Sequence, residues 1–255
     1  VDDSIEIMTS DIMSKAHGET DQAMARVMAG ESGPAIDWLV GTHGIELTLV
    51  EGFLYPSHSR MRMHAPASRT GADLIGGLSQ AMERAGIDVL TDCRVIDLYA
   101  ADDGHIGGLR FERPDGSFED IGCGALILAC NGFGGNPDMV ARLIPEMADA
   151  LYFGHTGNQG EAITWGEALG AVTADLGSYQ GHGSVAHPHG ILITWVMMMR
   201  GGIQINAEGR RFSNEHQGYS EQGRKVIAQP GGIAWNIMDQ RLYDLGQEFE
   251  DYRQA

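Results

Sequence analysis

The chain has 255 residues, 43% of them hydrophobic and 20% charged, which is room for one large α/β domain or for one domain and part of a second. Its formal charge of -18 repels phosphate backbones and anionic lipids, so nucleic acid and membrane surfaces are not expected as partners. No apolar run is long enough to predict a transmembrane segment, and the three cysteines, Cys93, Cys123 and Cys130, are too few and too scattered for a disulfide or zinc framework. They predict reduced thiols in a cytoplasmic protein.

The acidic start lacks the apolar stretch of a signal peptide. It also lacks an initiator Met, so the chain is expected to begin mid-protein. Residues 1 to about 50 predict helix. A run from Asp21 to Gly30 is followed by a segment in which Pro34 suits a first helical turn and Gly41 a helix end. Residues 51–70, with Pro56, Pro66 and several His and Arg, predict a long irregular loop, a feature that is usually functional.

Apolar residues at Leu74, Ile75, Leu78 and Met82 have helical spacing, and Gly86 closes that helix. Ile87–Leu90 and Arg94–Tyr99 predict strands. Residues 106–112 and 118–123 predict a hairpin around Pro114-Asp-Gly116. Ala125-Leu-Ile-Leu-Ala129 is continuously apolar, the pattern of a strand buried on both faces of a parallel sheet. It runs into Asn131-Gly-Phe-Gly-Gly-Asn136, after which Pro137 opens a helix. Another helix is expected from about Gly160 to Gly170. After about residue 178, Gly and His become frequent and strands short, which places a domain boundary there.

Three segments could carry chemistry. A Gly-rich turn closing a buried strand lets a large planar or phosphorylated ligand approach the main chain, and it also serves as a plain structural turn. It is not a dinucleotide fingerprint, because Pro137 stands where a third Gly is needed. The stretch Gly181-His-Gly-Ser-Val-Ala-His-Pro-His-Gly190 reads either as a polar loop or as a metal site, but its His spacing matches no zinc pattern, so no metal is expected. Ile203, Ile205 and the turn Asn206-Ala-Glu-Gly209 suggest a hairpin leading toward Tyr219, which is either a half-buried packing residue or a catalyst.

Taken in order, these segments resemble the fumarate reductase/succinate dehydrogenase flavoprotein superfamily, with a variant similar to the 3-ketosteroid dehydrogenases. The resemblance runs over residues 20 to 240. It rests on Arg69-Thr-Gly-Ala-Asp-Leu74, Ala85-Gly-Ile-Asp-Val, Cys93-Arg-Val-Ile-Asp-Leu98, Leu126-Ile-Leu-Ala-Cys-Asn-Gly-Phe-Gly-Gly-Asn136, Gly160-Glu-Ala and Ile203-Gln-Ile-Asn-Ala-Glu-Gly-Arg-Arg-Phe-Ser-Asn-Glu215. It implies an α/β fold: a partial, Rossmann-like FAD-binding domain over residues 1–178 and a partial α+β capping domain over 179–255. It implies FAD in the intact parent. The family's Gly-rich βαβ unit would precede residue 1 and its C-terminal segment would follow residue 255, so this polypeptide alone is expected to bind FAD poorly and to be inactive.

By the same resemblance, Arg69, Thr70, Val95, Ala129, Cys130, Asn131 and Gly132 are cofactor contacts. His182 and Thr194 match residues that grip a substrate carboxylate. Trp195 stands where a proton-relay Glu belongs and also lines the substrate site. Met198 replaces a relay Arg, and Tyr219 the catalytic-acid Arg. The resemblance therefore implies an FAD-dependent dehydrogenase or ene-reductase acting on a C–C bond beside a carbonyl. Hydride would pass to or from flavin N5, with Tyr219 as proton donor or acceptor. Two alternatives are a fumarate-like reductase of unsaturated carboxylates using His182 and Thr194, and an inactive flavoprotein-like binding scaffold. The partner is a small-molecule substrate; a redox partner is not identified.

Overall fold

A computed structural model describes residues 2–52 and 54–253, without the side chains of Glu250 and Asp251. Val1, in the expected helical start, and Phe53, in the expected loop, lie outside the described residues. The chain forms two compact units, Val1–Thr91 and Asp92–Ala255. The boundary expected near 178 falls inside the second unit, and the break in packing lies at Thr91/Asp92.

In the first unit, α1 (Ile5–Lys15) starts at Ser4, whose hydroxyl accepts from the Ile7 N–H at 3.2 Å. Helix α2 (Gln22–Gly41) starts at Asp21, whose carboxylate accepts from Ala23 and Met24 N–H at 2.7 and 3.0 Å. These caps satisfy donors that a helix start leaves unpaired. The two helices pack together, with Thr9, Ala25 and Ala29 buried. Pro34 does not open a helix but lies inside α2. A proline there has no N–H to give and forfeits one helical hydrogen bond. The Ser32 hydroxyl donates to the Ala29 carbonyl at 3.3 Å in the turn before it, and the helix continues through.

Strands β1 (Thr48–Leu49) and β2 (His64–Ala65) pair across the expected loop. The Arg62 guanidinium anchors that loop to Asp11 on α1 and to Asp3 just before it, each at 2.7 Å. Helix α3 (Gly71–Arg84) is capped by Thr70 and ends before Gly86, which takes a left-handed φ of 67°.

In the second unit, β3 (Arg94–Ala100), β4 (Ile106–Glu112) and β5 (Phe118–Gly122) form an antiparallel sheet in the order β3-β4-β5. Phe111 on β4 is 2% exposed and anchors it. Helix α4 (Pro137–Leu143) follows Asn136, which accepts from the Met139 N–H at 3.1 Å and donates to the Gln159 carbonyl at 3.0 Å. Helix α5 (Glu161–Ala168) lies close to where it was expected.

Beyond it the elements are short: β6 (Val185–Ala186) pairs with β7 (Ile191–Leu192), then come α6 (Val196–Met199) and β8 (Ile203–Ile205). Helix α7 (Tyr219–Ile227), β9 (Trp235–Ile237), α8 (Gln240–Gly246) and α9 (Glu250–Arg253) complete the unit. The turn at 206–209 forms, with one bridge from Ile205 to Arg211, but β8 finds its ladder partner in β9.

Two expected strands are not formed. Ile87–Leu90 and Ala125–Ala129 are without a ladder partner among the described residues. Ile127 is 88% exposed rather than buried on both faces. An apolar run becomes a sheet strand only when neighbouring backbones accept its hydrogen bonds, and the sheets described here are antiparallel.

Candidate active site

The site is built around His182, Trp195 and Tyr219. Tyr219 is the first residue of α7, half-buried, and its ring stacks on His182 at 5.0 Å with 26° between planes. Trp195 meets the same imidazole edge-on at 5.8 Å and 84°. Its indole N–H donates to the Glu215 carbonyl at 3.1 Å.

Burial pushes the His182 imidazole below its ordinary value, so the ring is neutral at pH 7. Its Nδ1 accepts from the Ser184 N–H at 3.2 Å, which leaves the proton on Nε2. His182 therefore offers a fixed N–H donor without a charge.

Glycines make this arrangement possible. A side chain at Gly181 would press to 2.8 Å from the Ser220 carbonyl, and one at Gly223 to 3.1 Å from the His182 nitrogen. The backbone of 181–183 thus lies directly on the first turns of α7, closer than any residue with a Cβ allows.

Beneath the rings is a buried polar network. Gln204, 1% exposed, donates to the Gly183 carbonyl and to Asn236 Oδ1, both at 2.8 Å, and accepts from Gln222 Nε2 at 2.8 Å. Glu215, fully buried, accepts from the Gln204 N–H at 2.9 Å and from Arg211 Nη2 at 2.6 Å. Burial pushes the Glu215 carboxyl up, but Arg211 and the Gln204 N–H outweigh it and hold it below the usual carboxylate range. A buried network of this kind makes a rigid floor, although Gln222 Oε1 finds no partner in it.

The structure brings His182, Trp195 and Tyr219 together. Thr194 is half-buried just before α6, and its carbonyl accepts from the Met197 N–H at 3.2 Å. Met198 is fully buried in a core cluster with Trp195, Ile193 and Leu242, so it fills the interior rather than lining a pocket.

The expected cofactor residues fall in both units. In the first, Arg69 takes a left-handed φ of 58° and Thr70 caps α3. In the second, Val95 lies on β3 opposite Phe111. Ala129 and Cys130 lie outside any helix or strand, Asn131 is left-handed at φ 61°, and a Cβ on Gly132 would meet nothing within 4 Å. Phe133, the next residue, packs with Met139 and Ile144 in a cluster that Tyr179 joins, which links this turn to the start of the 180–183 segment.

Gln180 was not legible as a site residue in the sequence. Its side-chain amide donates to the Tyr219 hydroxyl across 39 positions of chain, and no local pattern announces that contact.

Residues 1–242 match the family of FAD binding domains. The chain belongs to that family. FAD is the family's cofactor, and the kinship with the fumarate reductase and succinate dehydrogenase flavoproteins holds. A probable fumarate reductase, Ifc3, of Shewanella frigidimarina is 26% identical over 256 residues, covering 99% of this chain and 43% of that protein.

Among solved structures, the open conformation of a flavocytochrome c3 fumarate reductase superposes with a TM-score of 0.82 at 24% identity, covering 99% of this chain and 45% of the other. The 3-ketosteroid-Δ4-(5α)-dehydrogenase of Rhodococcus jostii RHA1 superposes with a TM-score of 0.72 at 19% identity, over 96% of this chain and 55% of the other. These likenesses establish the fold. The chain spans less than half the length of the Shewanella relative. Among the described residues, no helix is long and apolar enough to cross a membrane, and no cluster of His, Cys, Asp and Glu could hold a metal ion.

Proposed function

We propose that the flavoprotein containing this chain is an FAD-dependent oxidoreductase acting on a C–C bond next to a carbonyl, with Tyr219 handling the proton. The observation that carries this reading is the ring cluster: Tyr219 stacked on a neutral, half-buried His182. A neutral carbonyl oxygen suits the uncharged Nε2–H of His182.

The residues present fit FAD. The exposed Ala129, the left-handed Asn131 and the open space at Gly132 permit close approach of a large planar group. We assign Ala129, Cys130, Asn131, Gly132 and Val95 to hold it. FAD, when bound, supplies two-electron hydride chemistry at the carbon β to the carbonyl. His182 holds the carbonyl oxygen by its Nε2–H, which polarises the bond and acidifies the adjacent carbon. Tyr219 gives its hydroxyl proton to the α carbon in reduction, or, as the tyrosinate, takes the α proton in dehydrogenation. Trp195 steadies the His182 ring, and Thr194 contacts the substrate. The free cysteines support a reducing, cytoplasmic setting.

A second reading is favoured by the fumarate reductases found both among the relatives and among the solved structures. There His182 and Thr194 would grip a carboxylate instead. The test is a substrate panel on the full-length flavoprotein, with a reduced viologen dye as electron source. We expect cyclic enones such as 2-cyclohexen-1-one to be turned over with kcat/KM at least about tenfold above fumarate and acrylate. A preference for the acids would install the carboxylate reading. Failure with every substrate, and a colourless protein, would leave an inactive scaffold.

A further inference from the structure

We propose that Gln180 is a positioning residue for Tyr219, its side-chain N–H aiming the phenolic oxygen and supporting the negative charge that develops there as the proton leaves. The inference rests on the role given above to Tyr219.

Three observations support it. The Gln180 amide nitrogen hydrogen-bonds the Tyr219 hydroxyl oxygen. The backbone on both sides of Gln180 is held in place. Tyr179 packs on the Phe133, Met139 and Ile144 cluster, and Gly181 lies against the Ser220 carbonyl so tightly that a Cβ would come within 2.8 Å. Finally, the His182 ring covers one face of the tyrosine at 5.0 Å, so the phenol is fixed by stacking in one direction and by the amide in another. An exposed glutamine on a mobile loop would contribute little. Here the chain is anchored one residue to either side, and the cost of ordering the side chain is met largely by the fold.

The polarity of the contact matters. With Gln180 donating, the bond engages the tyrosine oxygen and not the hydrogen that the reaction must move to the substrate carbon. As that hydrogen leaves, the N–H bond to the oxygen becomes charge-assisted and strengthens. An interaction that grows as the transition state forms raises turnover rather than substrate affinity. If Gln180 instead accepted through its carbonyl oxygen, it would hold the hydrogen that the reaction must move.

Two variants separate these cases: Gln180→Leu removes both groups, and Gln180→Glu keeps only an acceptor. Gln180 is exposed, so neither variant should disturb folding. The direct measurement is made on this chain labelled with 13Cζ-tyrosine. The resonance lost in Tyr219→Phe belongs to Tyr219, and it should move in Gln180→Leu. A resonance that stays within its linewidth overturns the inference whatever the enzyme does.

The kinetic arm uses the full-length flavoprotein and 2-cyclohexen-1-one. Gln180→Leu should lower kcat about tenfold with KM within twofold, and Gln180→Glu should lower it further. Full kcat in Gln180→Glu would overturn the donor role. Full kcat in Gln180→Leu, with Tyr219→Phe inactive, would overturn the Gln180 inference and leave the proposed function standing. Full kcat in Tyr219→Phe would overturn both.

Discussion

In the full-length flavoprotein, Tyr219→Phe is expected to lower turnover about 10²- to 10⁴-fold, the range that positioned acid–base groups contribute, while the bound flavin keeps its visible spectrum. The separation of the two readouts follows from where Tyr219 sits. It is the first residue of α7 and contacts His182 and Gln180, while the turn assigned to the cofactor is at Ala129–Gly132. Phenylalanine keeps the ring that stacks on His182 and removes only the oxygen. The measurement pairs steady-state kinetics on an enone with an absorption spectrum of the same sample. Loss of colour together with activity would mean that the substitution damaged the fold. Unchanged turnover would take Tyr219 out of the chemistry.

Glu215→Ala should destabilise the chain by about 3 kcal/mol, read as a lower urea midpoint with an unchanged slope. Glu215 is completely buried, and it answers the Gln204 N–H and the Arg211 guanidinium at once. Truncation leaves that N–H without an acceptor under Trp195 and opens a void beside it. Arg211 adds less, because its side chain is 52% exposed and returns to water. Glu215→Gln, which keeps an acceptor for Gln204, should cost less than Ala.

The pH dependence has a definite sign. The folded state holds the Glu215 carboxyl below its ordinary value of 4.5. Its contribution is therefore fully present above that value and is lost as pH falls through the lower, folded one. In Glu215→Ala this part of the acid sensitivity should vanish. An acid unfolding curve parallel to wild type would refute the assignment.

What was legible in the sequence is what short-range signals encode. The helix at 71–84 follows from four apolar residues in helical register and Gly86. The β4–β5 hairpin follows from Pro114-Asp-Gly116, and the start of α4 from Pro137. The gathering of His182, Trp195 and Tyr219 was reached through resemblance, since neither spacing nor periodicity places residues so far apart in one cluster.

What was not legible depends on distant partners. Ala125–Ala129 has a strand's composition, but a strand is a relation between two backbones, and one segment alone does not carry it. Pro34 reads as punctuation, yet α2 runs through it. The Gln180–Tyr219 bond and the Gly181–Gly223 apposition are tertiary facts. They surface only when the chain has folded back on itself, and small residues at those positions look like ordinary loop glycines beforehand.

The segment Gly124–Cys130 has a practical corollary. It is uncharged and proline-free, it holds no helix or strand, Ile127 is almost wholly in water, and no neighbour among the described residues occupies its backbone groups. Such stretches template stacking of identical copies into cross-β assemblies. Concentrated preparations of this polypeptide are thus prone to slow gelling, and a single lysine in place of Ile127 is the simplest gatekeeper against it.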